Sequence, residues 1–319
     1  MSALSAGNPG VRVTVPASSA NLGPGFDVLA LALDLVNTYD VWEIPTELRI
    51  EVEGEGAGLI ARDQDNLFYT AMTSYFVLAG YQPSGLHIRE QNRIPLGRGL
   101  GSSAATIVGG LVAARSISGY RMDDERLLNL AGSLEGHPDN VAAALGGGFI
   151  LVLPEEGEQY SVRRLPWPMH VGCVLFVPEL LVSTDSARAL LPRSYPREDV
   201  VHNLSRVALF VAAVQEGRAE DLALATQDRL HQPYRRELVP GFDDIIAAAL
   251  GAGALGAFLS GAGPTVMALF DRRHEGAGPV IGEAMAAVAR RSGLEGRNLV
   301  AEVKSTGAEA SALPPEPGR

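Results

Sequence analysis

The segment Pro95-Leu96-Gly97-Arg98-Gly99-Leu100-Gly101-Ser102-Ser103-Ala104-Ala105 carries the strongest chemical signal in the chain. Three glycines at alternate positions allow a tight turn and a close approach of backbone to a ligand. Two serines stand where a helix begins, and small alanines fill its first turn. A helix start offers unpaired N–H groups and partial positive charge, which suits a phosphate. Serine hydroxyls there can cap the helix, meet a phosphate oxygen or ligate magnesium. The spacing is neither the Gly-x-x-x-x-Gly-Lys-Ser/Thr loop nor the dinucleotide pattern G-x-G-x-x-G. The plain reading is a glycine-rich turn with a serine cap; the chemical one is a nucleotide triphosphate gripped mainly by main chain.

Two more segments concentrate functional groups. In Val15-Pro16-Ala17-Ser18-Ser19-Ala20-Asn21-Leu22-Gly23-Pro24-Gly25-Phe26-Asp27, a strand ends at Pro16 and the glycines favour a tight loop that draws Asn21 and Asp27 together. An amide and a carboxylate there suit a hydroxyl and an ammonium of a small polar substrate, or an Asx-type turn that satisfies local backbone. In Glu135-Gly136-His137-Pro138-Asp139-Asn140, Gly136 and Pro138 stop the preceding helix and the polar side chains project from a loop. Asp139 reads either as the N-cap of a helix over 140–145 or as a substrate contact. Glu135 and Ser103 together make a magnesium pair, since that ion needs only one or two protein oxygens beside phosphate and water. Asn66 follows Asp63 and Asp65 and reads as an adenine contact or a helix cap. Gly261, Gly263 and Pro264 form a turn between buried strands, or a backbone that closes over substrate and phosphates.

The chain has 319 residues, 46% hydrophobic and 20% charged, with 26 basic against 37 acidic residues and a net charge of −11. That composition belongs to a folded chain of about two domains. It lacks the basic patch a nucleic-acid binder needs, and no apolar stretch of about 20 residues points to a membrane. Lys304 is the single lysine, so phosphate chemistry here cannot lean on a P-loop lysine unless Lys304 serves. Cys173 is the single cysteine, which excludes an intramolecular disulfide. Residues 1–10 show no basic cluster followed by an apolar run, so a cytoplasmic location is expected.

The elements that must position these groups alternate. Strands are expected over 11–15, 39–44, 48–52, 86–90, 146–153, 171–177, 254–259, 265–270 and 299–303. Helices are expected over 67–79, 102–117, 123–134, 199–215, 240–250 and 280–291. The acidic, proline-bearing stretch 154–168 marks a boundary between two α+β lobes, 1–165 and 166–307. The Pro-, Ala- and Glu-rich residues 308–319 read as a disordered tail.

In chain order, Val15 to Asp27, Pro95 to Ala105 and Ser260-Gly261-Ala262-Gly263-Pro264-Thr265 resemble the three motifs of the GHMP family. Its members are small-molecule kinases for galactose, homoserine, mevalonate and phosphomevalonate. The first segment is similar to the homoserine kinase form, and the resemblance spans about residues 11–305. It implies an α+β, two-lobed fold, with an N-terminal ribosomal-protein-S5-domain-2-like lobe and a C-terminal ferredoxin-like lobe. It implies ATP and Mg²⁺, with Pro95 to Ala105 on the nucleotide and Ser103 and Glu135 on the metal. His137, Asp139 and Asn140 would face the phosphoryl acceptor. Arg188, after Ser183-Thr184-Asp185-Ser186-Ala187, and Arg235, in His231-Gln232-Pro233-Tyr234-Arg235, would grip a carboxylate. With Asp27 for an ammonium, and Asn21, Thr184 and Gly263 beside it, the pieces match a zwitterionic amino alcohol such as L-homoserine. The family also suggests a homodimer.

Overall fold

The computed structural model describes residues 9–157 and 159–316. The first sheet is built from β1 (Pro9–Asn21), β2 (Gly25–Glu43), β3 (Leu48–Gly54), β4 (Leu86–Asn92), β5 (Phe149–Pro154) and β6 (Tyr160–Leu165). Between them run α1 (Leu67–Ala79), α2 (Ser102–Ser118), α3 (Asp124–Glu135) and α4 (Asp139–Gly146). The second half of the chain supplies β7 (Val171–Pro178), β8 (Gly256–Leu259), β9 (Val266–Asp271) and β10 (Gly296–Ala301). Its helices are α5 (Thr184–Ala189), α6 (Arg197–Glu216), α7 (Leu222–Ala225), α8 (Gln232–Arg235), α9 (Phe242–Gly251) and α10 (Ala277–Arg291). A last strand, β11 (Glu309–Pro315), returns to the first sheet. The seven-stranded sheet runs β11-β1-β2-β4-β3, with β5 on β2 and β6 on β5; the four-stranded sheet runs β10-β7-β9-β8. The fold is α+β and two-lobed.

β2 explains how one lobe wraps around a site. It is 19 residues long and changes neighbours midway. Its first half pairs with Ala17–Ala20 and with β5, its second half with Val11–Pro16 and with β4. The register of β1 shifts between Pro16 and Ala17, where proline has no N–H to give the ladder. Sequence patterning ends the strand at Pro16; the structure carries it through this bulge to Asn21. Residues 25–38 escape assignment from sequence because their near-continuous apolar run shows no clear period.

β7 is buried along its whole length and joins two cores. Cys173, Leu175 and Val177 belong to the core shared with the first lobe, while Val174 and Phe176 alternate onto the core under α9 and α10. α6 closes from outside, with Phe210 edge-on to Phe149 at 5.9 Å. The lobes therefore share packing and are held at a fixed separation.

The expected tail is corrected. Within residues 308–319, Glu309–Pro315 form a strand that pairs antiparallel with β1; residues 317–319 lie outside the described ones. Trp42 Nε1 donates to Pro314 O at 2.9 Å, and Arg49 binds the Glu316 carboxylate. Nearly every β11 side chain is exposed, so the strand is held by main-chain ladder bonds and leaves no apolar pattern to read. β6, inside the expected linker, has no fully buried residue and no alternation of burial, so it too leaves no pattern to read. Truncation after Ala308 should lower Tm by about 5 °C or more in a circular-dichroism melt, given several ladder bonds of about 1 kcal/mol each. An unchanged Tm would show that the strand contributes nothing.

Candidate active site

The segment before α2 is held by its carbonyl oxygens. Leu96 O accepts from Arg98 Nη1 (3.0 Å), Gly97 O from Val182 N (3.0 Å), Gly99 O from Ser260 Oγ (2.7 Å) and Leu100 O from Ser18 N (3.1 Å). Among the described residues, no acceptor meets the N–H groups of Gly97 to Ser103. The loop thus turns its oxygens into protein and keeps a row of donors. Gly99 and Gly101 are required for this. Both have positive φ, and a Cβ would come within 2.2 Å of Ser260 O at Gly99 and 2.0 Å of Ser18 Oγ at Gly101.

This loop lines one side of a cavity of about 210 Å³ at the junction of the lobes. Leu96, Gly97, Arg98, Gly99, Gly101, Ser102 and Ser103 face it. Pro95, Leu100, Ala104 and Ala105 lie buried behind and do not line it. Arg98 turns its guanidinium to the carbonyls of Leu96, Pro178 and Glu179, stitching the loop to the chain after β7. Asn66 takes the capping alternative: it caps α1, its Oδ1 accepting from Tyr69 N while Nδ2 donates to Ala61 O and Glu90, and it does not line this cavity. Gly263 also stays outside, supporting Gly99 from beneath through its backbone.

At the lip, Ser103 Oγ donates to Glu135 Oε2 at 2.7 Å. Burial pushes the Glu135 carboxyl up from its ordinary value, outweighing the Ser103 hydrogen bond and the charges of His137 and Arg188. Two oxygens side by side, one on an under-compensated carboxylate, suit a hard divalent cation. No cluster of three or more acidic, His or Cys ligands exists among the described residues, so phosphate or water oxygens must complete any such shell.

His137 bridges inward from this pair. Its Nδ1 lies 2.9 Å from Asp139 Oδ1 and its Nε2 3.7 Å from Glu135 Oε1. Burial pulls the imidazole pKa down, but Asp139 and Glu135 outweigh it and the net shift is upward. Asp139 is the first residue of α4, whose N-cap is Pro138, so the expected capping position moves by one. Its Oδ1 also accepts the Asn140 N–H at 2.7 Å. Buried Ser18 Oγ donates to Asn140 Oδ1 at 2.8 Å and thereby fixes the amide's orientation. Ser18 is a support behind the site that sequence reasoning missed: it does not line the cavity, and its burial, which obliges the hydroxyl to find a partner, shows only in the structure.

The opposite wall is ionic. Arg188 in α5 binds Asp27 through two hydrogen bonds, 2.7 and 3.0 Å. Arg235 in α8 is 2% exposed, and among the described residues no carboxylate lies within ion-pair distance of it. Its Nε and Nη1 donate to Ala187 O and Gly261 O, and Nη1 also to His231 Nδ1. Burial first, then the charge of Arg188, lowers its pKa to about 10. His231, also unassigned from sequence, is neutralised by burial and donates Nε2–H to Gly23 O at 2.7 Å. Asn21 lines the cavity, yet its side chain is committed: Nδ2 donates to Gly261 O and Oδ1 accepts from Asp27 N. It ties the first motif to the late glycine turn. Thr184 lines the cavity as well.

The GHMP kinases N terminal domain matches residues 66–148, and the GHMP kinases C terminal domain matches residues 210–290. The homoserine kinase of Caldicellulosiruptor bescii is 44% identical over 265 residues, covering 83% of this chain and 86% of that protein. The homoserine kinase of Synechocystis sp. is 41% identical over 305 residues, covering 94% and 98%. The crystal structure of homoserine kinase from Cytophaga hutchinsonii superposes with a TM-score of 0.85 at 30% identity, covering 98% of this chain and 99% of that one.

Beneath the ionic wall, Asp228 accepts from Asn203 Nδ2 and from the N–H groups of Leu230, His231 and Gln232, and so shapes the entry to α8. Burial alone raises its pKa; His231, Asn203 and the backbone donors outweigh that and hold it below 3.8. A depressed folded-state pKa stabilises the fold above the unfolded value and is lost as pH falls through the folded one. Asp228→Asn should therefore cost about 1–3 kcal/mol at pH 7. The gap to the parent protein should close in melts below pH 3.8. A gap independent of pH would refute this account.

Proposed function

The chain belongs to the GHMP kinases, in their homoserine kinase branch, and from that premise we propose that it moves the γ-phosphoryl group of ATP to the side-chain hydroxyl of L-homoserine. The products are ADP and O-phospho-L-homoserine, a step of threonine biosynthesis. The observation that carries the acceptor assignment is Arg235, a buried guanidinium without a carboxylate in contact among the described residues. A buried charge left unpaired is costly, and an anion entering the cavity relieves that cost. Arg188 stands beside it with its buried Nε unpartnered among the described residues, so a carboxylate meets two guanidinium groups, while Asp27, which Arg188 also holds, supplies the opposite charge for an ammonium. A sugar or an isoprenoid alcohol needs no such combination.

The reading gives each remaining group a task. The free N–H row of Gly97 to Ser103 takes the triphosphate. Asp139 and Asn140 orient the acceptor hydroxyl, and His137 holds Asp139 in place. Ser103 and Glu135 would hold magnesium, which supplies charge neutralisation on the phosphates. Because phosphoryl transfer passes through a loose transition state, alignment and charge carry most of the rate. ATP as co-substrate and the buried thiol of Cys173 accord with a cytoplasmic location. No helix among the described residues is long and apolar enough to cross a membrane.

A coupled assay of ADP release should respond to homoserine and not to mevalonate or galactose. Binding of ATP and homoserine without turnover would instead indicate a sensor. Arg235→Met should raise the homoserine KM by about 100-fold, the scale of a lost charged hydrogen-bond pair, with the ATP KM within threefold. Equal effects on both substrates would remove Arg235 from the acceptor site. Asp139→Asn should reduce kcat by less than about 100-fold, because Oδ1 keeps its partners and positioning survives. A loss nearer 10⁴-fold would make Asp139 a general base.

A further inference from the structure

Two cations share the acceptor wall, and only one has a carboxylate. Arg188 is held by Asp27, whereas Arg235 is surrounded by carbonyls and a neutral imidazole. Their mutual repulsion favours separation, and the buried position of Arg235 denies it the screening that water gives exposed charges. One aromatic ring contacts both. The Phe26 centroid lies 5.5 Å from the Arg188 guanidinium carbon and 5.4 Å from that of Arg235. The same ring stacks on His231 at 5.5 Å with an interplanar angle of 30°. His231 is itself pinned between Gly23 O and Arg235 Nη1, so the ring's position is fixed from behind.

We propose that Phe26 is a positioning residue for specificity: its electron-rich ring holds Arg188 and Arg235 together as one receptor for a carboxylate-bearing alcohol. An aromatic quadrupole presents negative potential at its face and attracts a guanidinium within about 6 Å. One ring in reach of two guanidinium groups offsets part of their repulsion while the cavity is empty. It takes up none of their N–H groups, so Arg188 Nε, which has no hydrogen-bond partner among the described residues, stays available, as does whatever Arg235 does not give to Ala187, Gly261 and His231. An aliphatic side chain of similar volume fills the space and supplies no compensation. The selectivity claim rests on the acceptor reading above; the compensation claim does not.

Replacing Phe26 in the full chain with 4-fluoro-, 3,5-difluoro- and 3,4,5-trifluorophenylalanine drains the ring's negative potential while nearly keeping its shape. In the substrate-free protein, Tm should fall stepwise along the series, and the slope should flatten in an Arg235→Met background. In turnover assays the homoserine KM should rise stepwise to about tenfold at trifluoro substitution, with kcat and the ATP KM within twofold. Phe26→Leu should match or exceed the trifluoro effect; if that variant fails to fold, the fluorinated series stands alone. A flat response of Tm and KM to fluorination overturns the proposal and leaves Phe26 as packing. Absence of any homoserine-dependent turnover in the parent protein would count against the acceptor assignment instead, and the substrate-free Tm series would still decide the role of the ring.

Discussion

The structure depends on peptide planes being held by one end. From Leu96 to Leu100, carbonyls are occupied by an arginine, a backbone amide from after β7, a serine hydroxyl from the late glycine turn and a backbone amide from β1. Each partner comes from a different part of the chain, and the second and third lie beyond the first lobe. The orientation of this loop therefore depends on both lobes. Its donors point where they do because the second lobe occupies the other side. On the proposed reading the loop needs no lysine, because oriented amides and a helix start supply the positive potential.

The ionic wall uses the opposite strategy. Where the loop offers many weak partial charges, the acceptor side concentrates whole charges in a small space. Asp27 sits at positive φ near the start of β2, placed by the Asn21 side chain. Asn21 is in turn bound to a carbonyl 240 residues away. Arg188 and Arg235 arrive on short helices whose entries are set by Ser183 and Asp228. Misplacement of any support moves a charge directly against another, so the wall tolerates less displacement than an apolar pocket would.

Much of this was legible in the chain itself. The glycine spacing at Pro95 to Ala105 gives the loop, since only glycine accepts positive φ so close to Ser18 and Ser260. The helix over Leu67–Ala79 is marked by Asn66 before it and Gly80 after it, and both caps form. What stayed hidden shares one property: its partner is distant in sequence. Arg98 reads as a phosphate ligand until its three carbonyls are seen. Asn21 reads as a substrate contact, and its donor goes to Gly261. Phe26 carries no signal of its own in the sequence, and its neighbours in the structure are cations. β11 has no buried face, so no pattern of hydrophobicity could announce it.

That last strand has a consequence beyond holding the sheet. By lying against β1 it converts a central, heavily apolar strand from a potential edge into an interior one. The border it presents in exchange ends in Pro314 and Pro315, which have no N–H to offer an incoming chain, and acidic Glu309 and Glu316 flank it. Strand edges of this kind resist templated growth into aggregates. A short, solvent-washed ribbon whose own side chains contribute almost nothing to the core thus shields the apolar strand behind it from edge pairing.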